Sequence, residues 1–170
     1  EASFVAVTEA ARRRSVDAVI AAGGDGTLRA AAAALLGTDV PLGLIPLGTG
    51  NVMAHELVLP RDPQGLARIL LQGPVVNLAV ARANGEPFLL MAGAGFDGAV
   101  ISRLDHRLKN RIGKAAYAMP TLRALLGPRP NLDVLVDGKP FHAHWVIVSK
   151  ARCYGGGFTL LPFAHVLDQG

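Results

Sequence analysis

The chain has 170 residues, 51% hydrophobic and 18% charged, with a formal charge of +4 and a pI near 9.7. That length suits one medium domain or two small ones, and core material is ample. The single cysteine, Cys153, excludes an intrachain disulfide and any multi-cysteine metal site, so a reducing cytosol is the expected setting. No run approaches the roughly 18 apolar residues of a membrane span, and no secretory leader is visible. The mild basicity suits an anionic ligand or a membrane surface. Because the chain opens on Glu1 and stops at Asp168-Gln169-Gly170, a fragment trimmed at both ends is expected.

Residues 8–15 are polar, arginine-rich and helix-compatible, the end of a helix begun upstream. Residues 18–22 are a short apolar run of the buried-strand kind. Gly23-Gly24-Asp25-Gly26-Thr27 follows, then an alanine-rich stretch, helical over 28–36 and stopped by Gly37. Three glycines in four residues let a backbone lie close to a bulky anion. The helix start aims free N–H groups and its positive dipole end at the same place. Asp25 stands where a Mg²⁺-bound phosphate or a reacting hydroxyl would be held, which points to phosphoryl transfer. The plainer alternative is a glycine-rich turn whose Asp25 caps the helix. The Gly-Lys-Ser/Thr ending of a Walker A loop is absent, as is the Gly-x-Gly-x-x-Gly spacing of a dinucleotide fingerprint.

Residues 41–46 repeat the scheme, with a strand at 42–45, a second loop Gly48-Thr49-Gly50-Asn51, and a helix through 57. Thr49 and Asn51 could bond a phosphate or a ribose, or satisfy the backbone of their own loop. A further helix at 66–71 is entered through Asp62-Pro63 and closed by Gly73-Pro74. Two successive βα units place both loops at the carboxyl edge of a parallel sheet, where open α/β folds bind ligands. After Pro74 the pattern changes. Asn84-Gly85 joins strands expected at 75–81 and 87–91, and Asp137-Gly138 joins strands expected at 132–136 and 141–148. A helical region over 97–126 separates the hairpins. The expected organisation is an α/β domain over 1–73 and a β-rich domain over 74–170.

The five histidines show no metal-ligand cluster spacing, and Cys153 reads as a structural thiol. The run Arg103, His106, Arg107, Lys109, Arg111, Lys114 reads as a solvated helix face or as a contact for anionic lipid headgroups. No aromatic ladder accompanies it, so nucleic acid is not an expected partner.

Four blocks in order resemble the catalytic domain of the diacylglycerol kinase family, which includes sphingosine and ceramide kinases and bacterial lipid kinases. They are Gly23 to Thr27; Pro46 to Asn51 running into Ala54; Gly93-Ala94-Gly95-Phe96-Asp97-Gly98; and Tyr154-Gly155-Gly156-Gly157 with Pro162, Ala164 and Asp168. Gly113-Lys114-Ala115-Ala116-Tyr117 is a subsidiary match. The resemblance implies a three-layer α/β nucleotide-binding domain like those of NAD kinases and phosphofructokinases, followed by a β-sandwich that helps hold the lipid. Both would be incomplete here: the family's first strand would precede Glu1, and its general base would lie beyond the fourth block.

Carried over by position, Gly23, Gly24, Asp25, Gly26, Thr27, Thr49 and Asn51 would bind ATP. Asp25 and Asp97 would serve catalysis, and Asp25 would join the Mg²⁺ network around the phosphates. A structural Mg²⁺ would take the Asp168 carboxylate and backbone oxygens of His165 and Gly170. The chain departs from the family's habit at Val52, where many members carry an acid, and at Arg29-Ala30, where an Asn-Glu pair is common. Arg29 reads as a solvent-facing helix residue or a phosphate contact. The implied activity is ATP-dependent phosphorylation of a hydroxyl on a diacylglycerol-like or sphingoid lipid, with the 170-residue chain itself inactive. Expected partners are a lipid at a membrane surface and, as an open alternative, a second copy in a homodimer. The expected location is cytoplasmic and peripheral to the membrane. Two other functions remain open: a soluble-substrate kinase of the NAD kinase or phosphofructokinase type, and a non-catalytic nucleotide- or lipid-binding module.

Overall fold

The computed structural model describes residues 2–101, 118–127 and 131–164. The chain divides into two compact units, Glu1–Leu90 with Lys150–Gly170, and Met91–Ser149. The first unit opens with α1 (Ala2–Arg12), β1 (Val19–Gly23), α2 (Asp25–Leu35), β2 (Leu42–Pro46), α3 (Val52–Glu56) and α4 (Pro63–Gln72). β1 and β2 pair in parallel, from Val19 opposite Leu42 to Gly23 opposite Pro46. Both strands therefore end at the same edge, as two consecutive βα units require.

Ala21 and Leu44, one from each strand, are buried with Leu28 and Ala31 of α2, Met53 of α3, and Leu89. Leu28, Ala31 and Leu35 recur at spacings of three and four, giving α2 a single apolar face toward the sheet. The helix begins at Asp25, three residues earlier than propensity suggests, because Gly26 hides the first turn from a propensity reading. α4 is longer than expected for a related reason. Asp62 accepts the Gly65 N–H at 2.6 Å, Pro63 fills the first position, and the Gly73 N–H returns to the Ile69 carbonyl.

The first unit extends past the expected edge at 73/74. Leu78, Val80, Leu89 and Leu90 pack on its core. The hairpin of β3 (Ala81–Ala83) and β4 (Glu86–Phe88) is tied to α2 through Arg29. Its Nε donates to the Pro87 carbonyl and its guanidinium pairs with Glu86, each at 2.8 Å. Most of the strand expected at 75–81 does not form: Val75 and Val76 are exposed, Leu78 and Val80 pack on the core, and residues 75–80 join no ladder. The chain returns to this unit after residue 149, through β9 (Cys153–Tyr154) and β10 (Phe158–Thr159).

In the second unit β5 (Met91–Gly95) runs antiparallel to β8 (Trp145–Ser149), and β6 (Leu132–Val136) pairs with β7 (Lys139–Ala143). The single strand expected at 141–148 is broken at His144 because its two halves serve different partners. α5 (Phe96–Ile101) packs on the helix Ala118–Leu126, here α6. Both hairpin turns have left-handed φ at their two central residues, 52° and 82° at Asn84-Gly85 and 50° and 77° at Asp137-Gly138. That is the demand of a two-residue turn matched to strand twist. Gly95, at φ 82°, turns β5 into α5; a Cβ there would strike the His144 carbonyl and lie 3.0 Å from Leu132. Phe96 and Trp145 meet beside it with ring centroids 5.4 Å apart. Among the described residues, no helix is long and apolar enough to cross a membrane.

Candidate nucleotide-phosphate site

The two glycine loops lie side by side at the carboxyl ends of β1 and β2. The Leu47 N–H donates to the Gly23 carbonyl at 2.9 Å, which continues the parallel pairing into the loops. Beyond it Gly24 and Gly48 approach backbone to backbone. A Cβ on Gly24 would sit 3.1 Å from the Gly48 Cα, and one on Gly48 would overlap the Gly24 Cα.

Asp25 reaches from one loop to the other. Its Oδ2 accepts the Val52 N–H at 3.0 Å and its Oδ1 the Met53 N–H at 3.1 Å. The carboxylate thus caps α3 rather than its own helix, and its charge lies at the positive end of α3. The N-cap of α2 is Gly24, which offers the first-turn amides no side-chain cap. Those amides remain available to an anion.

Asn51 is left-handed, at φ 48°, and makes no side-chain bond to α3. It braces its own loop instead: Oδ1 accepts the Gly48 N–H at 2.8 Å, and Nδ2 donates to the carbonyls of Gly48 at 2.8 Å and Pro46 at 3.4 Å. Thr49 is half-buried, and its hydroxyl has no hydrogen-bond partner among the described residues. Thr27 is exposed on the first turn of α2, close against Gly23, where a Cβ would lie 2.5 Å from its Oγ1. A Cβ on Gly26 would meet nothing within 4 Å. Packing therefore does not require glycine at that position. Arg29 is held at the β3–β4 hairpin by Glu86 and Pro87.

The residue that sequence reasoning undervalued is Glu56. Its side chain is 1% exposed. One carboxylate oxygen accepts the Cys153 N–H at 2.5 Å and the other faces Arg152 Nε at 3.5 Å. The signal was present, because Glu56 shares a helix face with buried Val52 and Met53. A charged residue at a core position of a helix implies a buried partner. The neighbouring His55 lies against Gly157, where a Cβ would be 3.4 Å from its ring. Burial pushes the Cys153 thiol above its ordinary pKa; a hydrogen bond to Glu56 and the charge of Glu56 add to the rise, and Arg152 opposes it.

Of Asp97, the second residue of α5, only the backbone is described. His165, Asp168 and Gly170 lie outside the described residues, as do the basic run 103–114 and the subsidiary block 113–117. Among the described residues, no group of three or more His, Cys, Asp or Glu side chains could hold a metal ion.

Comparison with known proteins matches this arrangement over nearly the whole chain. The family model "Diacylglycerol kinase catalytic domain" matches residues 2–83, and "YegS C-terminal NAD kinase beta sandwich-like domain" matches residues 91–170. A diacylglycerol kinase from Mycobacterium tuberculosis is 34% identical over 169 residues, covering 94% of this chain and 54% of its own length. An Escherichia coli protein named "Probable lipid kinase YegS" is 31% identical, covering 94% of this chain and 56% of its own. A crystal structure of a diacylglycerol kinase from Bacillus anthracis superposes with a TM-score of 0.71 at 27% identity, over 96% of this chain and 54% of that one. The chain thus spans about half the length of these relatives. Its fold is the expected NAD kinase-like α/β domain followed by a β-sandwich-type domain. With the glycine loops, their shared aspartate and both matches in agreement, the chain belongs to the diacylglycerol kinase catalytic-domain family.

Proposed function

We propose that the protein is an ATP-dependent lipid kinase that phosphorylates a hydroxyl of a diacylglycerol-like or sphingoid lipid. The observation that carries this reading is Asp25, whose carboxylate joins two glycine loops at adjoining strand ends. Beside it the uncapped start of α2 and the open side of Gly26 admit a phosphate chain. Thr27 and Thr49 supply hydroxyls at the rim of the same edge.

In the reaction the lipid oxygen bonds to the γ-phosphorus as the β–γ bridging bond breaks. ADP leaves with the electron pair, and the hydroxyl proton passes to a base. Positioning and electrostatics do most of the work in such transfers. Mg²⁺ bound with ATP would offset phosphate charge. Each Asp25 oxygen, with one amide partner, keeps a lone pair for such an ion or its water. The lipid acceptor would bring the protein to a membrane surface.

The test is transfer of label from γ-labelled ATP by the full-length protein, offered vesicles of diacylglycerol and sphingoid lipid alongside NAD and sugar phosphates. Label in the lipid phase is expected. Label only in the aqueous phase would replace this reading with a soluble-substrate kinase.

A further inference from the structure

The buried carboxylate of Glu56 asks for an explanation that phosphate binding does not supply. A charge so enclosed is retained at a cost unless it is well paired. Its partners lie 96 and 97 residues away, in the segment that returns to the first unit. α3 itself has five residues, too few to hold a helical turn on its own. It is pinned from outside at both ends. Asp25 takes the Val52 and Met53 amides at one end, and Glu56 grips the Cys153 amide and faces Arg152 at the other. His55 against Gly157 closes the same seam. Three glycine-rich segments are thereby joined through two carboxylates in one run of contacts: Gly24–Asp25, then α3 with its preceding loop, then 152–157.

We propose that Glu56 is a positioning residue for the nucleotide site. By anchoring α3 to the returning segment, it fixes the amides that orient Asp25 and the loop carrying Thr49. This rests on the phosphate-binding reading above. Glu56 does not touch the nucleotide; its effect travels through α3. Shortening its side chain by one methylene withdraws the carboxylate from the Cys153 amide, whereas an isosteric amide keeps the accepting oxygen. The shorter acid should therefore disturb the loops more than the neutral isostere does.

The experiment compares full-length wild type, Glu56→Asp and Glu56→Gln for binding of a fluorescent ATP analogue, for KM toward ATP and lipid, and for thermal unfolding. Glu56→Asp should weaken nucleotide binding and raise the ATP KM by about tenfold, as a small misplacement of a binding group does. The lipid KM should stay within about twofold, since uniform loss at one ligand moves that KM alone. Glu56→Gln should bind the nucleotide within about threefold of wild type, its retained oxygen still meeting Cys153. A folded Glu56→Asp with wild-type nucleotide affinity and only a lowered Tm would make Glu56 purely structural and overturn the proposal. Equal losses in Glu56→Asp and Glu56→Gln would overturn it too, because geometry would not be the cause. A wild type that binds the analogue but labels no lipid would overturn the lipid kinase function and leave the role of Glu56 standing. A wild type that binds no nucleotide would overturn both.

Discussion

Gly24 and Gly48 face each other backbone to backbone, with no room for a side chain on the Gly48 side. Gly48→Ala drives a Cβ into the Gly24 Cα and to within 2.7 Å of Asn51 Oδ1. Neither neighbour can step aside without opening the loop. The variant should lose about 1–3 kcal/mol of stability, the usual result of overpacking. Urea unfolding of wild type and variant measures it, and an unchanged midpoint would mean that the loops separate freely.

Gly26→Ala separates folding from function. Its Cβ meets nothing, and the residue lies in a helix, so alanine should add up to about 1 kcal/mol of stability. The same methyl group would stand where a phosphate approaches the α2 amides. Nucleotide affinity should fall by about tenfold or more. Calorimetry with an ATP analogue, paired with thermal unfolding, reads both; unchanged affinity would move the phosphates away from this turn.

Asp25→Asn should lower kcat by at least about 100-fold. The structure adds a second effect, because the asparagine keeps one accepting oxygen for the two α3 amides and loses the charge at the helix start. A stability loss of about 1–2 kcal/mol should accompany it. Full turnover would end the role of Asp25 in catalysis, and full stability its role as the cap of α3.

The raised pKa of Cys153 keeps its thiol protonated at neutral pH. The rate of alkylation by iodoacetamide, followed against pH, should therefore rise at a higher pH than for an ordinary cysteine. Thiolate is the reacting form. In Glu56→Gln the midpoint should move down, since the charge that opposes ionisation is gone. A midpoint that stays in place would mean that Glu56 does not sense the thiol.

Arg29→Ala should cost at most about 1 kcal/mol, because its pairing with Glu86 is largely exposed. The KM for ATP should not change. A rise there would return Arg29 to the phosphates.

The sequence made the two loops and the edge they share legible because each is a local pattern of strand, glycines and helix. Both hairpin turns were legible for the same reason, written in Asn84-Gly85 and Asp137-Gly138. The partners of the carboxylates were not. Asp25 finds amides 27 and 28 residues on, and Glu56 an amide 97 residues on. No local spacing encodes such pairings. Leu78 and Val80 show the converse limit: both pack on the core, yet burial without a neighbouring strand makes no sheet.

The span between Glu56 and Cys153 also sets an order of assembly. The β1–α2–β2 pairing and the Asp25 cap close loops of a few tens of residues. Closing the 97-residue loop costs about 1 kcal/mol more in chain entropy than closing the 27-residue one. Until the distant segment arrives, the Glu56 carboxylate must stay in water, and α3 has only its Asp25 end secured. The phosphate edge is therefore complete only once the segment 97 residues on has docked against Glu56.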